Sequence, residues 1–164
     1  MKTVLIPTDF NVESIKIIDA FNLNYKFEDV TFIFLHAFKL SDSITDMLML
    51  SRRSRDYENI SEEFYLGLET TRQKYPKLIK NIGIEYFYGS TVVSFKNLLE
   101  RLSIDAIVYP ENYQFRSINR YSIDPTILTS KCGYPIINFD VKIVNTENLF
   151  DTKMHETHAK AIVV

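Results

Sequence analysis

The segment Val30-Thr31-Phe32-Ile33-Phe34-Leu35 constrains this chain more than any other. It is a continuous apolar run, without the polar alternation of a strand that has one wet face. Such a run suits a central strand covered on both sides, which is how parallel sheets are built. His36, Ala37 and Phe38 close it. The flanking sequence must therefore supply cover for two faces.

It does so in alternating units. Val4-Leu5-Ile6, ended by Pro7, has the character of a short buried strand. Thr8, Asp9, Phe10 and Asn11 follow as a cluster suited to capping a helix. Val12, Ile15, Ile18 and Phe21, with Ile17 beside them, then form one apolar helical face. Residues 41–82 are mostly helical in pattern but broken: Arg52, Arg53 and Arg55 interrupt the apolar signal, and Tyr75-Pro76 bends or ends a helix. Gly83 leads into a third strand through Ile84, Tyr86, Phe87 and Tyr88. After a turn at Gly89-Ser90, Val92, Phe95, Leu99 and Leu102 share a helical face, and Ile104 to Tyr109 is a fourth strand. Pro110 to Arg120 is a polar and aromatic loop. Pro125 opens a helix running to about Cys132 with Gly133 as its cap, and Pro135 to Phe139 is a fifth strand. Strand and helix in alternation predict an α/β fold with a mostly parallel sheet and helices on both faces. The expected organisation is one domain over 1–140 and a polar tail over 141–164. Ligands of such sheets bind outside the C-terminal strand ends where strand order reverses, which points to the ends of strands one and four.

The bulk numbers agree with a single domain. At 164 residues a folded chain buries roughly 70% of the surface exposed when unfolded. An apolar fraction of 46% excludes a disordered chain, and a net charge of −2 gives no reason to expect a nucleic-acid or membrane-surface partner. The lone Cys132 cannot form an internal disulfide, and the N-terminal apolar run is shorter than the about 7–15 residues of a secretory leader. The chain is therefore expected in the cytoplasm, with no membrane span.

Three motifs carry a resemblance. Val4-Leu5-Ile6-Pro7-Thr8-Asp9-Phe10 resembles the opening strand and loop of universal stress proteins. Gly89-Ser90, an amphipathic helix and Asp105-Ala106-Ile107-Val108 resemble that family's third strand end, helix and fourth strand. Gly133-Tyr134-Pro135-Ile136-Ile137 resembles its last helix-to-strand junction. The resemblance implies a Rossmann-like, five-stranded parallel sheet in the order 3-2-1-4-5, usually paired as a homodimer. It also implies ATP as the ligand of many members, held by the loop after strand one, a Gly-x-x-Gly loop after strand four, and a later Gly-Ser or Gly-Thr. Here Thr8 and Asp9 match the first element. Tyr109-Pro110-Glu111-Asn112-Tyr113-Gln114 replaces the second, and about Ser122-Ile123 the third. Glycines let backbone N–H groups approach phosphate closely, so Tyr109 and Glu111 are expected to obstruct it and Glu111 to repel it.

The candidate ligand residues are Pro7, Thr8, Asp9, His36, Arg116, Arg120 and Ser122. Asp9 contacts an adenosine group or else braces its loop; Arg116 and Arg120 clasp phosphate or else are solvated. His36 touches a ligand or is a satisfied core histidine, and Cys132 is a redox-sensitive thiol or simply buried. His155 and His158 have metal-ligand spacing but belong to a solvated tail, so no metal is assigned. No catalytic elbow, phosphate loop of the Walker type or paired-cysteine site occurs, and no catalytic residue is assigned. Two functions remain: a non-catalytic stress-response domain acting through homodimerisation or partner binding, with Ile136, Ile137 and Phe139 of the last strand as the dimer edge; or a sensor of a nucleotide or small anion with a changed phosphate loop.

Overall fold

The computed structural model describes residues 2–39 and 57–139. Arg52, Arg53 and Arg55, His155 and His158, the helical pattern before Tyr57 and the tail 141–164 lie outside the described residues. Strands β1 (Lys2–Pro7), β2 (Val30–Phe38), β3 (Ile79–Tyr88), β4 (Ala106–Pro110) and β5 (Ile136–Phe139) form one five-stranded sheet in the order β3-β2-β1-β4-β5. Every neighbouring pair is parallel. The helices are α1 (Ile17–Asn24), entered through a 3-10 turn at Val12–Lys16, α2 (Glu62–Lys74), α3 (Val92–Arg101) and the single turn α4 (Thr126–Thr129).

The central run separates two cores. Phe32, Phe34 and Phe38 of β2 face the side packed by Ile18 and Phe21 of α1 and Phe64 and Leu68 of α2. Ile33, Leu35 and Ala37 face the side packed by Phe95, Leu98 and Leu99 of α3 and by Leu128. Crossovers between parallel strands are right-handed. The chain runs outward through β1, β2 and β3, then returns to the far side for β4 and β5. That reversal puts α1 and α2 on one face and α3 and α4 on the other. Each fully buried Phe or Leu contributes about 1.5–3 kcal/mol relative to exposure.

Local chemistry sets the helix ends. Ser61 accepts the N–H of Phe64 at 3.1 Å and starts α2, and Tyr75, turned out of the helical conformation (φ −124, ψ 61) before Pro76, stops it. Thr91 accepts the N–H of Ser94 at 3.2 Å and starts α3. Gly133, at φ +79, turns the chain into β5 in a conformation open to glycine at little cost. No helix among the described residues is long and apolar enough to cross a membrane.

Two expectations are corrected. β3 begins at Ile79, not after Gly83. Leu78 and Ile79 are buried, and the N–H of Val30 donates to Leu78 O at 2.7 Å, but exposed Lys80 and Asn81 hide the strand from a periodicity reading. Gly83 sits in mid-strand opposite Ile33. The helix expected to reach Cys132 ends at Thr129. In β5, the strand at the edge of the sheet, the Phe139 ring is buried against Phe21 and Tyr25 at 6.2 and 6.0 Å between ring centres. Ile136 is exposed and Ile137 half-buried.

Candidate functional site

β1 and β4 lie side by side, and their connections leave toward opposite faces. The loops after them diverge, and a cavity of about 540 Å³ opens between them. Pro7, Thr8, Asp9, Asn11, Glu13, Ser14 and His36 line one side; Asn112, Tyr113, Gln114, Phe115 and Arg116 line the other.

The loop after β1 is tied by its own side chains. Thr8 Oγ1 accepts the N–H of Phe10 at 2.8 Å, and Asp9 Oδ1 accepts that of Asn11 at 2.9 Å. Asn11 Oδ1 accepts the N–H of Glu13 at 3.0 Å, while Asn11 O accepts Ser14 N–H at 2.9 Å and Ser14 Oγ–H at 2.6 Å. With its proton so committed, Ser14 Oγ is left to accept the hydroxyl proton of Thr8 at 2.8 Å. These bonds hold Phe10 at φ 63, a left-handed conformation that costs a bulky residue of order 1–3 kcal/mol. Phe10 keeps it because its ring is buried against Phe64, Tyr86 and His36.

His36 joins the two sides of the site. It is 2% exposed. Nδ1 lies 2.7 Å from Thr8 O, and a carbonyl can only accept, so Nδ1 carries a proton. Nε2 lies 2.8 Å from Ser122 Oγ, which also accepts the N–H groups of Ile118 at 2.9 Å and Asn119 at 3.3 Å. The neutral imidazole therefore accepts the Ser122 hydroxyl proton. Ser122 forms a bridge with Phe38, flanked by bonds from Lys39 N–H to Tyr121 O at 2.8 Å and from Ile123 N–H to Ala37 O at 3.0 Å. The return of the loop after β4 is thus stitched to the end of β2.

Of the seven candidates, Pro7, Thr8, Asp9, His36 and Arg116 line the cavity, and Arg120 and Ser122 do not. Arg120 donates to Tyr121 Oη at 2.6 Å and lies over that ring, 4.8 Å from its centre. Ser122 serves His36 and its own loop. The expected obstruction is also misplaced. Tyr109 points to the opposite core, where it pairs with Thr129 Oγ1 at 3.0 Å, and Glu111 is exposed outside the cavity lining. Tyr113 occupies the cavity wall instead, edge-on to Tyr109 at 4.7 Å between ring centres. Burial, then the charges of Asp124 and Asp9, push its phenol well above the ordinary tyrosine range, so it stays a neutral donor and acceptor. Asn11, Glu13, Ser14, Asn112, Tyr113, Gln114 and Phe115 are among the lining residues missing from the candidates; Asn11 has a sequence signal in its place before an apolar helical face. Cys132 is buried, with Sγ 3.2 Å from Thr129 O. Among the described residues no group of three or more His, Cys, Asp or Glu is arranged to hold a metal.

No protein-family model and no curated protein matches the sequence. Solved structures do match its fold. The hypothetical protein PH0823 superposes with a TM-score of 0.51 at 18% identity, over 84% of this chain and 94% of that one. The hypothetical protein MJ0577 gives 0.49 at 14% identity, over 84% and 94%. Universal stress protein UspA from Lactobacillus plantarum gives 0.46 at 14% identity, over 84% and 96%. The PH0823 likeness places the chain in the same α/β fold, with its sheet ordered 3-2-1-4-5.

Proposed function

We propose that this domain is a non-catalytic binding module that takes a nucleotide or another small anion at the crevice between β1 and β4, in the stress-response setting that its sequence resemblance implies. The observation that carries the reading is the cavity of about 540 Å³ at the sheet's switch point, walled by polar side chains from both diverging loops. Its first loop keeps a strained backbone at Phe10, which is the kind of feature that functional loops retain. Binding rather than turnover is favoured because the groups that would act on a ligand are engaged. Both ring nitrogens of His36 are hydrogen-bonded, and Ser14 gives its proton to Asn11 O. Titration calorimetry of the nucleotide-stripped chain with nucleosides and nucleotides tests this. Heat of binding that Asp9→Ala removes is the expected result. A folded chain giving no heat with any of them would refute it.

A second reading, action through homodimerisation or a protein partner, is favoured by the edge of the sheet. β5 has four residues, is paired among the described residues to β4 alone, and presents Ile136 at 40% exposure. Light scattering at micromolar concentration should then give a dimer that Ile136→Glu dissociates. A monomeric parent chain would remove this reading.

A further inference from the structure

We infer that His36 is a positioning residue whose proton sets the second wall of the cavity: the neutral ring holds the loop after β4 in place, the protonated ring releases it, and ligand affinity falls as pH falls. This rests on the binding role proposed above. The hydrogen bonds at the ring force the coupling. A serine Oγ has one proton and two lone pairs. Ser122 gives that proton to His36 Nε2 at 2.8 Å and accepts the N–H groups of Ile118 at 2.9 Å and Asn119 at 3.3 Å. A proton on Nε2 turns the acceptor into a third donor. Three N–H groups then face an oxygen that can take two, and the hydroxyl proton has lost its acceptor. One N–H must leave, and the Asn119 bond is the longest of the set.

What stays and what moves follows from the same contacts. Nδ1 already donates to Thr8 O, a bond that a second ring proton leaves intact, so the wall from β1 keeps its place. Tyr121 and Ile123 are held to the end of β2 by backbone bonds that do not involve the ring. Ile118 and Asn119 depend on Ser122 Oγ, and they follow closely on Arg116 and Phe115 of the cavity wall. The ring is pulled both ways. Burial opposes its charge, as does Arg116 across the cavity, while the carboxylates of Asp9 and of Glu13, itself paired with Lys16, favour it. Tyr86, opposite His36 on β3, and Tyr113 on the far wall add phenols. Opposed influences of this kind leave an imidazole able to change charge between about pH 5 and 8.

The test is an NMR titration of the isotopically labelled full chain from about pH 8 to about pH 5, with calorimetry of adenosine and ATP over the same range. The amides of Ile118 and Asn119 should shift and lose protection from solvent exchange at the midpoint of the His36 ring. One pH unit below that midpoint about one chain in eleven keeps the neutral ring, so either probe should bind up to about tenfold more weakly than above it. Ser122→Ala should bind weakly at every pH, without this slope. For ATP the ratio of parent to variant is read, which cancels titration of the phosphates. Ser122→Thr keeps the hydroxyl and should keep the slope. Melting curves establish that each variant is folded. Affinity that stays level through the His36 midpoint, or a ring that does not titrate in this range, would overturn the inference and leave the binding role standing. A folded chain that binds neither probe would overturn the binding role and the affinity claim with it. Amides of Ile118 and Asn119 unmoved by the ring's proton would overturn the clamp itself.

Discussion

Replacing Ser122 with alanine tests whether this residue is structural, as its contacts indicate, or a ligand group. The hydroxyl serves three partners at once: His36 Nε2 at 2.8 Å, Ile118 N–H at 2.9 Å and Asn119 N–H at 3.3 Å. His36 is 2% exposed, so taking the hydroxyl from its Nε2 costs about 1–2 kcal/mol for a buried acceptor. The two N–H groups are only partly buried, and water recovers much of their bonding, leaving about 0.5 kcal/mol each. The whole loss is about 2–3 kcal/mol. At about 2–4 °C per kcal/mol for a chain of this size, the melting temperature should fall by about 5–10 °C. Thermal and urea unfolding, each followed by circular dichroism, measure it. Ser130→Ala is the control. That exposed hydroxyl makes one long bond, 3.4 Å, to Ile127 O, and its loss should stay within about 0.5 kcal/mol. A Ser122→Ala chain as stable as the control would refute the stitching of the two loops through His36.

Three further outcomes are expected. Phe64→Ala removes a fully buried ring lying 5.5 Å from both Phe10 and Phe34, and should cost about 3–5 kcal/mol in urea unfolding. Gly133→Ala introduces a methyl with no atom within 4 Å, so its loss of about 1–2 kcal/mol in the same assay would report the left-handed backbone alone. Burial, then the hydrogen bond to Asp19 and its charge, push the Tyr75 phenol up from 10.0 to about 12, with Lys74 opposing in part. A phenol raised on folding adds stability in full below its ordinary value and loses it as pH climbs through the folded one. Stability should therefore fall between pH 10 and 12, and Tyr75→Phe should flatten that fall in urea midpoints measured across the range.

Much of the fold is legible in the residues. The apolar run of β2, the strand ended by Pro7, the amphipathic face of α3 and the turn at Gly133 all appear where local pattern places them. The start of β3 is not legible, because it lies on the sheet's edge and mixes buried Ile79 with exposed Lys80 and Asn81. The site divides in the same way. Pro7, Thr8, Asp9 and His36 sit at strand ends, where chain order alone carries them to the switch point. Ser122 and Arg120 lie in a loop whose path depends on a bridge to Phe38, 84 positions distant by number, and no local pattern encodes such a bridge. Tyr109, expected to obstruct phosphate, enters the core beside Leu128 instead, for a related reason. A strand buried on both faces has no polar alternation to tell one side from the other.

That same lack of alternation raises the question of how β2 finds its alignment. Polarity speaks only at His36, whose bonds to Thr8 O and Ser122 Oγ a slip would break; elsewhere a shift by one residue would still bury apolar groups on either side. Size decides there. Phe32, Phe34 and Phe38 enter one core, and Ile33, Leu35 and Ala37 enter the other. A slip by one position would press rings into spaces shaped for aliphatic chains and leave voids where the rings had been. Interiors packed to crystal-like density tolerate neither. The strand thus carries its alignment in the volumes of its side chains.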